Sequence, residues 1–566
     1  MADPRVQGDQ AADENGARGH ERPQRRTAVA FAVLRAAAYG VAVLAVSILL
    51  RFRTPGIPGY DSYYHFRHAD LYVRYGLWMK EFPWLVYSTI NKFSGDIGYG
   101  FHVFLMPFTL LSDEVLGMKL AAAVETAVVL LILYLVLRRH RIPYAFAWPF
   151  YLLFLAPPIT YTFIMTRPQT LSMGVTALLL SFMVKGPALG VLLASFALAF
   201  FHLNAFPLVL LVVAVTALVK GIVESRWEWG KWLASLAGIG AGWLLRPNPL
   251  GVAKLEYNQI LVHEAVRHAQ LPLLFGREWA PVAPSALGAF ALPILLWAAA
   301  SISLAAATAN PRFRASDHHR TFLWAAIALS SLFFVLMVIL TKRFTPFWAT
   351  SAVIVTATAF SLLLRPAGDD EHRRARGWAR LAATTGIAAV LGALAWGALK
   401  PYAAHVSWSR PTDSAIETVA KALRDNGIAG EIVYNVDWSM FPELFLWNTE
   451  DYYVSGLDPI FLYAYDPQLY WKSHHLATGA AVAQTYGSPN PSPSAAVDTY
   501  AFVHEDLRAS YIVLDRRRYA GLDAHLQSDP RFPLVLTKGN LALYAVRERS
   551  ESATTPLAET RAKTER

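Results

Sequence analysis

No cysteine occurs anywhere in the 566 residues, which excludes both a disulfide framework and a thiolate metal site. Charge is scarce as well. Only 16% of residues are Asp, Glu, Lys or Arg, against 55% hydrophobic, where soluble globular domains carry about a quarter charged residues. With a mean hydropathy of +0.32, this balance indicates an integral membrane protein. The net charge of +10 does not point to nucleic acid. The basic residues cluster in short loops beside apolar runs, where they set orientation and meet anionic headgroups.

A hydrocarbon core of about 30 Å asks for roughly 20 apolar residues per helix. Runs of this kind fall near 28–50, 115–137, 144–163, 169–184, 187–203, 206–220, 231–246, 284–308, 321–341, 346–364 and 379–399, giving about eleven spans. The shorter piece 99–111 contains His102 and Pro107 and reads as a helix along the interface. Counted this way, Arg138-Arg139-His140-Arg141, Arg226 with Lys231, Arg312 with Arg314 and Arg320, and Arg373-Arg374 with Arg376 share one side. Positive charge favours the cytoplasm, so the N-terminus is cytoplasmic and the C-terminus external, in a cell membrane.

The expected fold is mostly α, a polytopic membrane helix bundle with a C-terminal extracytoplasmic α/β domain. Residues 1–27 read as a disordered cytoplasmic tail, 28–400 as the transmembrane domain with a large first external loop over 51–114, 401–547 as the external domain and 548–566 as a disordered tail. Strands are expected at 431–434, 511–514 and 541–544, and a helix over 414–426 closed by Gly427.

Only polar residues on one side of the membrane can share a site, and ionisable groups at membrane depth are costly. Asp61 lies in Gly59-Tyr60-Asp61-Ser62-Tyr63-Tyr64-His65-Phe66-Arg67, just after the first apolar run. Its carboxylate suits a general base or a metal ligand, and Asp is equally a favoured helix cap. His65 and Arg67 follow it as binding candidates, with Asp96 in Ser94-Gly95-Asp96 and His102 further along the loop. Arg167 precedes Pro168 at the start of a span, and Lys342-Arg343 lies at the end of another. Guanidinium geometry fits phosphate, while interfacial anchoring is the alternative. An amphipathic helix over 252–269 offers His263 and Glu264 to the same side. Glu125 is the acidic exception inside the spans.

Asp61-x-x-Tyr64-His65-x-Arg67, in the first external loop, resembles the corresponding loop of oligosaccharyltransferase catalytic subunits, within the GT-C class of membrane glycosyltransferases. The interfacial piece Gly100-Phe101-His102-Val103-Phe104-Leu105-Met106-Pro107-Phe108, the span ending in Arg138-Arg139, and Arg167-Pro168 are similar to GT-C features. The resemblance covers roughly 28–400. It implies a GT-C-like bundle, an essential carboxylate at Asp61, and a polyprenyl-phosphate sugar donor transferring to a lipid or glycan acceptor on the external face. It leaves open a divalent cation, Mg or Mn, as cofactor, with Asp61 as its ligand if one is used. No nucleic acid partner is implied.

Two departures bear on the acceptor. Where oligosaccharyltransferases carry a second acidic pair, this chain has Thr166-Arg167-Pro168-Gln169, and the nearest piece to their W-W-D-Y-G signature is Val436-Asp437-Trp438-Ser439-Met440. An enzyme moving one sugar at a time, with inversion and with Asp61 as general base, is therefore the better match than transfer to asparagine. The rival readings are a lipid-linked sugar transporter or flippase and a non-catalytic envelope assembly protein. The string Gly456-Leu457-Asp458-Pro459-Ile460-Phe461-Leu462-Tyr463 resembles part of an uncharacterised family of such proteins and brings no assigned chemistry with it.

Overall fold

The computed structural model describes residues 6–309, 316–363, 414–426 and 428–547, with short pieces between 385 and 398. Most of the expected span 379–399, the arginines at 312, 314, 373, 374 and 376, Gly427 and the tail 548–566 lie outside the described residues.

The chain is a polytopic helical bundle. Its N-terminal half runs α1 (Val6–Phe52), α2 (Asp61–Tyr75), α3 (Thr89–Phe93), α4 (Tyr99–Thr109), α5 (Glu114–Arg139), α6 (Trp148–Leu153), α7 (Pro157–Ile164), α8 (Pro168–Val184), α9 (Ala188–Phe201) and α10 (Phe206–Glu224). There follow α11 (Trp229–Leu244), α12 (Pro249–Tyr257), α13 (His263–His268), α14 (Ala291–Ala309), α15 (Asp317–Ile339) and α16 (Thr345–Leu363). Among the described residues, six helical stretches are long and apolar enough to cross a bilayer: Val29–Phe52, Glu114–Arg139, Leu203–Glu224, Pro284–Ala309, Asp317–Ile339 and Lys342–Ser361. Pro168–Val184 and Ala188–Phe201 are shorter apolar helices.

The run 144–163 differs from its reading as one span. It forms α6 and α7, separated at Phe154-Leu155-Ala156. Pro157 and Pro158 explain the break: neither has an N–H for a continuing helix, and both suit the first turn of a new one. The amphipathic stretch 252–269 is also interrupted, by a π turn over Asn258–Val262 between α12 and α13.

The C-terminal region carries a five-stranded sheet in the order β2-β1-β5-β7-β6. Its strands are β1 (Ile432–Asn435), β2 (Tyr452–Tyr453), β5 (Tyr511–Asp515), β6 (Leu534–Lys538) and β7 (Leu541–Ala545); β3 (Gln484–Tyr486) and β4 (Ala496–Asp498) form a separate pair. β1 pairs in parallel with β2 and β5, and β7 runs antiparallel to β5 and β6. The three strands expected from sequence and the helix Ala415–Asn426 are present within a residue or two.

This domain shares a core with the first loop. Tyr64 and Leu71 of α2, with Phe82, Trp84, Leu85 and Ile90, pack in one cluster with Phe441, Leu444, Phe445 and Tyr453. The loop also extends the sheet: Tyr453 donates its N–H to the Trp84 carbonyl at 2.8 Å, and Val86 donates to the Tyr453 carbonyl at 3.0 Å. α2 is therefore held between the bundle and the C-terminal domain.

Candidate active site

α2 presents two faces because successive side chains turn by about 100°. Asp61, His65 and His68, spaced by four and three residues, share one of them. Arg67, Asp70 and Arg74 share the other, and the structure keeps Arg67 away from the site. Arg67 is buried, paired with Asp70, and its Nε donates to the Leu446 carbonyl at 2.8 Å. It fastens the C-terminal domain to α2.

Asp61 does not cap α2. The cap position is Tyr60, and Asp61 is the first helical residue. Its Oδ2 instead forms an ion pair with Arg167 Nη2 at 2.7 Å. Arg167 stands in an extended conformation immediately before α8, with Pro168 as the first helical residue, as the restriction on pre-proline residues requires. Gly59 permits this approach: its φ is +74°, and an added Cβ would meet Met165 Sδ at 3.0 Å and Arg167 Nε at 4.0 Å. Burial opposes the charge on Arg167, but Asp61 and Glu278 outweigh it and hold the guanidinium more firmly protonated than usual.

Arg343 lies in the turn between α15 and α16. Its guanidinium stacks on the Trp279 ring at 3.6 Å from the centroid, and Nη2 reaches Glu278 Oε1 at 3.4 Å. Two contacts fix that turn to its surroundings: Gln169 Nε2 donates to the Arg343 carbonyl at 3.1 Å, and Thr341 Oγ1 donates to the Glu278 carbonyl at 2.7 Å. The first of them joins Arg343 to the helix that Arg167 opens. Lys342 occupies the same turn and is half-buried. Trp279 is held in turn by Asp458, whose Oδ2 accepts from the indole Nε1 at 3.2 Å. The Gly456-Leu457-Asp458 string thus reaches the site from the C-terminal domain. Gly456 must be glycine, because a Cβ there would lie 2.5 Å from the Phe441 ring. Burial pushes the Asp458 carboxyl up to about 6.

His263 packs against Phe275 and Trp279, with ring centroids 4.2 and 4.0 Å away; it buttresses the Trp279 platform rather than lining the site. Glu264 turns away on the same helix and pairs with Arg267 at 3.3 Å and His268 at 3.5 Å.

Beneath Asp61 lies a second polar cluster. Asp96 Oδ1 accepts from the Gly98 N–H at 2.8 Å, while Oδ2 accepts from the Tyr72 hydroxyl at 2.8 Å and from His102 Nδ1 at 2.6 Å. His102 Nε2 is 2.8 Å from His65 Nδ1. Arg246 clamps this loop by donating from Nη1 to the carbonyls of Asp96 and Ile97 at 2.8 and 2.9 Å. Burial opposes ionisation of Asp96, yet His102, His68 and Arg246 together hold its carboxyl below the usual carboxylate range.

Metal binding can be tested on these residues. Among the described residues, His68, Asp96 and His102 are the group whose donor atoms come close enough for an ion. The His68 and His102 rings stack with centroids 4.3 Å apart and planes 19° from parallel. Lone pairs in nearly parallel planes do not converge on one ion, and the 2.6 Å contact from His102 to Asp96 has the length of a hydrogen bond. At Asp61 the nearby positive charge is Arg167. In this geometry the stacked rings at the one place and the Arg167 charge at the other disfavour a divalent cation.

Sequence reasoning picked out Asp61, His65, Asp96, His102, Arg167, Lys342 and Arg343 and missed His68, Glu278 and Trp279. The His65-x-x-His68 spacing on a helix was a usable signal for the first. Glu278 and Trp279 sit in a short loop turn without periodicity and gave none.

A helical membrane bundle whose first loop carries a carboxylate–guanidinium pair, capped by a C-terminal α/β domain that shares the loop's core, has the architecture of the GT-C class. Solved structures agree. ArnT from Cupriavidus metallidurans in the apo state matches with a TM-score of 0.51 at 15% identity, over 90% of this chain and 98% of that one. The same protein bound to undecaprenyl phosphate matches with a TM-score of 0.50 at 15% identity, over 92% and 99%. The Archaeoglobus fulgidus oligosaccharyltransferase in its apo form matches with a TM-score of 0.50 at 13% identity, over 90% of this chain and 75% of that one. At such identities the likeness is one of fold, and the chain has the GT-C, oligosaccharyltransferase-like fold. No family model and no curated protein matches the sequence.

Proposed function

We propose that this protein is a membrane glycosyltransferase that takes a sugar from a polyprenyl-phosphate donor and transfers it, with inversion, to a lipid or glycan acceptor on the extracytoplasmic face. The observation that carries this reading is the Asp61–Arg167 pair at 2.7 Å, joined through Gln169 to Arg343. Two guanidiniums at the end of an apolar bundle suit a phosphate whose chain stays in lipid. The neighbour solved with undecaprenyl phosphate supports the same donor class here.

In this reading Arg167 and Arg343 hold the donor phosphate and take up charge as it leaves. Asp61 keeps Oδ2 on Arg167 and turns its second oxygen to the acceptor hydroxyl, orienting it for attack on the anomeric carbon. This role is proposed in place of the general base expected from sequence. A transporter needs a site near the membrane midplane, whereas these charges gather at one end of the bundle. The test is the purified protein in vesicles with a labelled polyprenyl-phosphate sugar and envelope lipid as acceptor. Label should move to the acceptor with one polyprenyl phosphate released per transfer. Donor that crosses the bilayer uncleaved would replace the enzyme with a flippase.

A further inference from the structure

The proposed reaction must dispose of the acceptor's hydroxyl proton, and the cluster beneath Asp61 has the form of a proton acceptor. Asp96, His102 and His65 make a continuous chain: Asp96 Oδ2 to His102 Nδ1 at 2.6 Å, then His102 Nε2 to His65 Nδ1 at 2.8 Å. The protons along it can be assigned. An ionised carboxylate only accepts, so His102 Nδ1 carries a proton, and in the neutral tautomer with that proton His102 Nε2 carries the lone pair. His65 Nδ1 must then donate, which leaves the lone pair of His65 on Nε2. His65 is half-buried. His65 lies one helical turn from Asp61, so both side chains leave α2 on the same face.

We infer that His65 is the general base of the transfer, with His102 and Asp96 as positioning residues that fix its tautomer and offset the charge it gains. This rests on the glycosyl-transfer reading and deepens it. As the acceptor oxygen bonds to the anomeric carbon, the bond from that carbon to the phosphate oxygen breaks. Its electron pair leaves with the polyprenyl phosphate, and the hydroxyl proton passes to His65 Nε2. The imidazolium is compensated by Asp96 through His102 and returns the proton to solvent once product departs. The logic is that of a carboxylate holding an imidazole in one tautomer, with a second imidazole interposed.

The groups facing His65 are consistent with a base that is neutral before reaction. They are Tyr64 and His68 from α2, Phe101 and His102 from α4, Asp96 from the preceding turn, and Arg167 from the start of α8. Burial, with His102 and Arg167, lowers its proton affinity well below that of a free histidine, against a smaller opposing effect of Asp96.

The experiment measures the pH dependence of transfer by the full-length protein in vesicles for wild type, His65→Ala, His65→Gln, Asp96→Asn and Asp61→Asn, with thermal stability in detergent as the folding control. His65→Ala should lose about 10²-fold in kcat with KM little changed, and millimolar imidazole should restore part of the rate. His65→Gln, which keeps a donor toward His102, should be equally slow and covers the case in which the alanine variant fails to fold. Asp96→Asn should move the acid limb of the pH–rate profile to lower pH, since removing a nearby negative charge lowers the proton affinity of His65. Transfer by folded His65 variants within about threefold of wild type, with Asp61→Asn inactive, overturns the His65 assignment and leaves the enzyme reading standing. Absence of transfer by wild type itself overturns both.

Discussion

Replacing Asp61 by Asn keeps the side chain's shape and removes its charge, so structural and chemical losses can be told apart. At about 4 Å between charge centres and an effective dielectric near 20, the gross attraction to Arg167 is about 4 kcal/mol. Most of that is offset by hydration, because the two side chains are 30% and 22% exposed. Fully exposed pairs contribute about 0.2–1 kcal/mol, and breaking a fully buried one costs about 3–5 kcal/mol. Asp61→Asn should therefore cost about 1–2 kcal/mol of stability, a change of a few degrees in thermal midpoint. The chemical loss is larger. A charged group aimed at the reacting hydroxyl is lost, and such removals cost about 10²–10³-fold in kcat, or roughly 3–4 kcal/mol of barrier. The assay is initial-rate transfer from a labelled polyprenyl-phosphate sugar, beside a melting curve of the same preparation. Asp61→Asn in an Arg167→Ala background should add little further loss, because the two act as a unit. If Asp61→Asn turns over within tenfold of wild type while melting normally, the site has been placed on the wrong residues.

Three further outcomes follow from the contacts. Arg67→Ala strips the partner of the Leu446 carbonyl and one partner of the buried Asp70, which should cost about 2–4 kcal/mol by thermal denaturation, with activity lost only as the protein unfolds. Asp458 has a folded-state value of about 6, above the model-peptide value of about 3.9. Its contribution is fully present below the lower value and is lost as pH rises through the upper one. Wild type should then lose up to about 3 kcal/mol of stability between pH 4 and pH 7 that Asp458→Asn does not lose, read as the difference between their melting curves. Glu278 competes with donor phosphate for Arg343, which it meets at 3.4 Å, so Glu278→Gln should lower the KM for donor about fivefold; an increase would make Glu278 a binding residue.

The helices, the strands at 432–435, 511–515 and 541–545, and the first-loop carboxylate were legible because each rests on local pattern: apolar length, alternation, or an acidic residue directly after a span. The α6–α7 break was missed because apolar length was weighed above Pro157-Pro158. The roles of the charged residues were less legible, because a role depends on which helix face a side chain leaves and what crosses the chain to meet it. Arg67 and Asp61 are six residues apart in one motif. One faces Leu446 of the C-terminal domain and the other Arg167, and nothing within the motif separates them. Trp279 and Asp458 become neighbours through a contact 179 residues apart in sequence, beyond any local signal.

What distinguishes a working arginine from a structural one in this fold is whether its partners can be exchanged. Arg246 is 2% exposed and spends its guanidinium on the backbone carbonyls of Asp96, Ile97, Ala199 and Phe200; Arg67 is 9% exposed and is held by Leu446 and Asp70. Neither can release those groups to an incoming phosphate without leaving buried oxygens unpaired. Arg167 and Arg343 are each matched instead to a carboxylate on a partly exposed side chain, Asp61 at 30% and Glu278 at 39%. Such pairs hold the guanidiniums in place at little cost while the site is empty: water can take over Glu278 when phosphate displaces it from Arg343, and Arg167 can meet the phosphate through Nε, which Asp61 leaves without a partner. Weak pairing is thus what the proposed phosphate site requires, and both arginines that the start of α8 and the α15–α16 turn bring together have it.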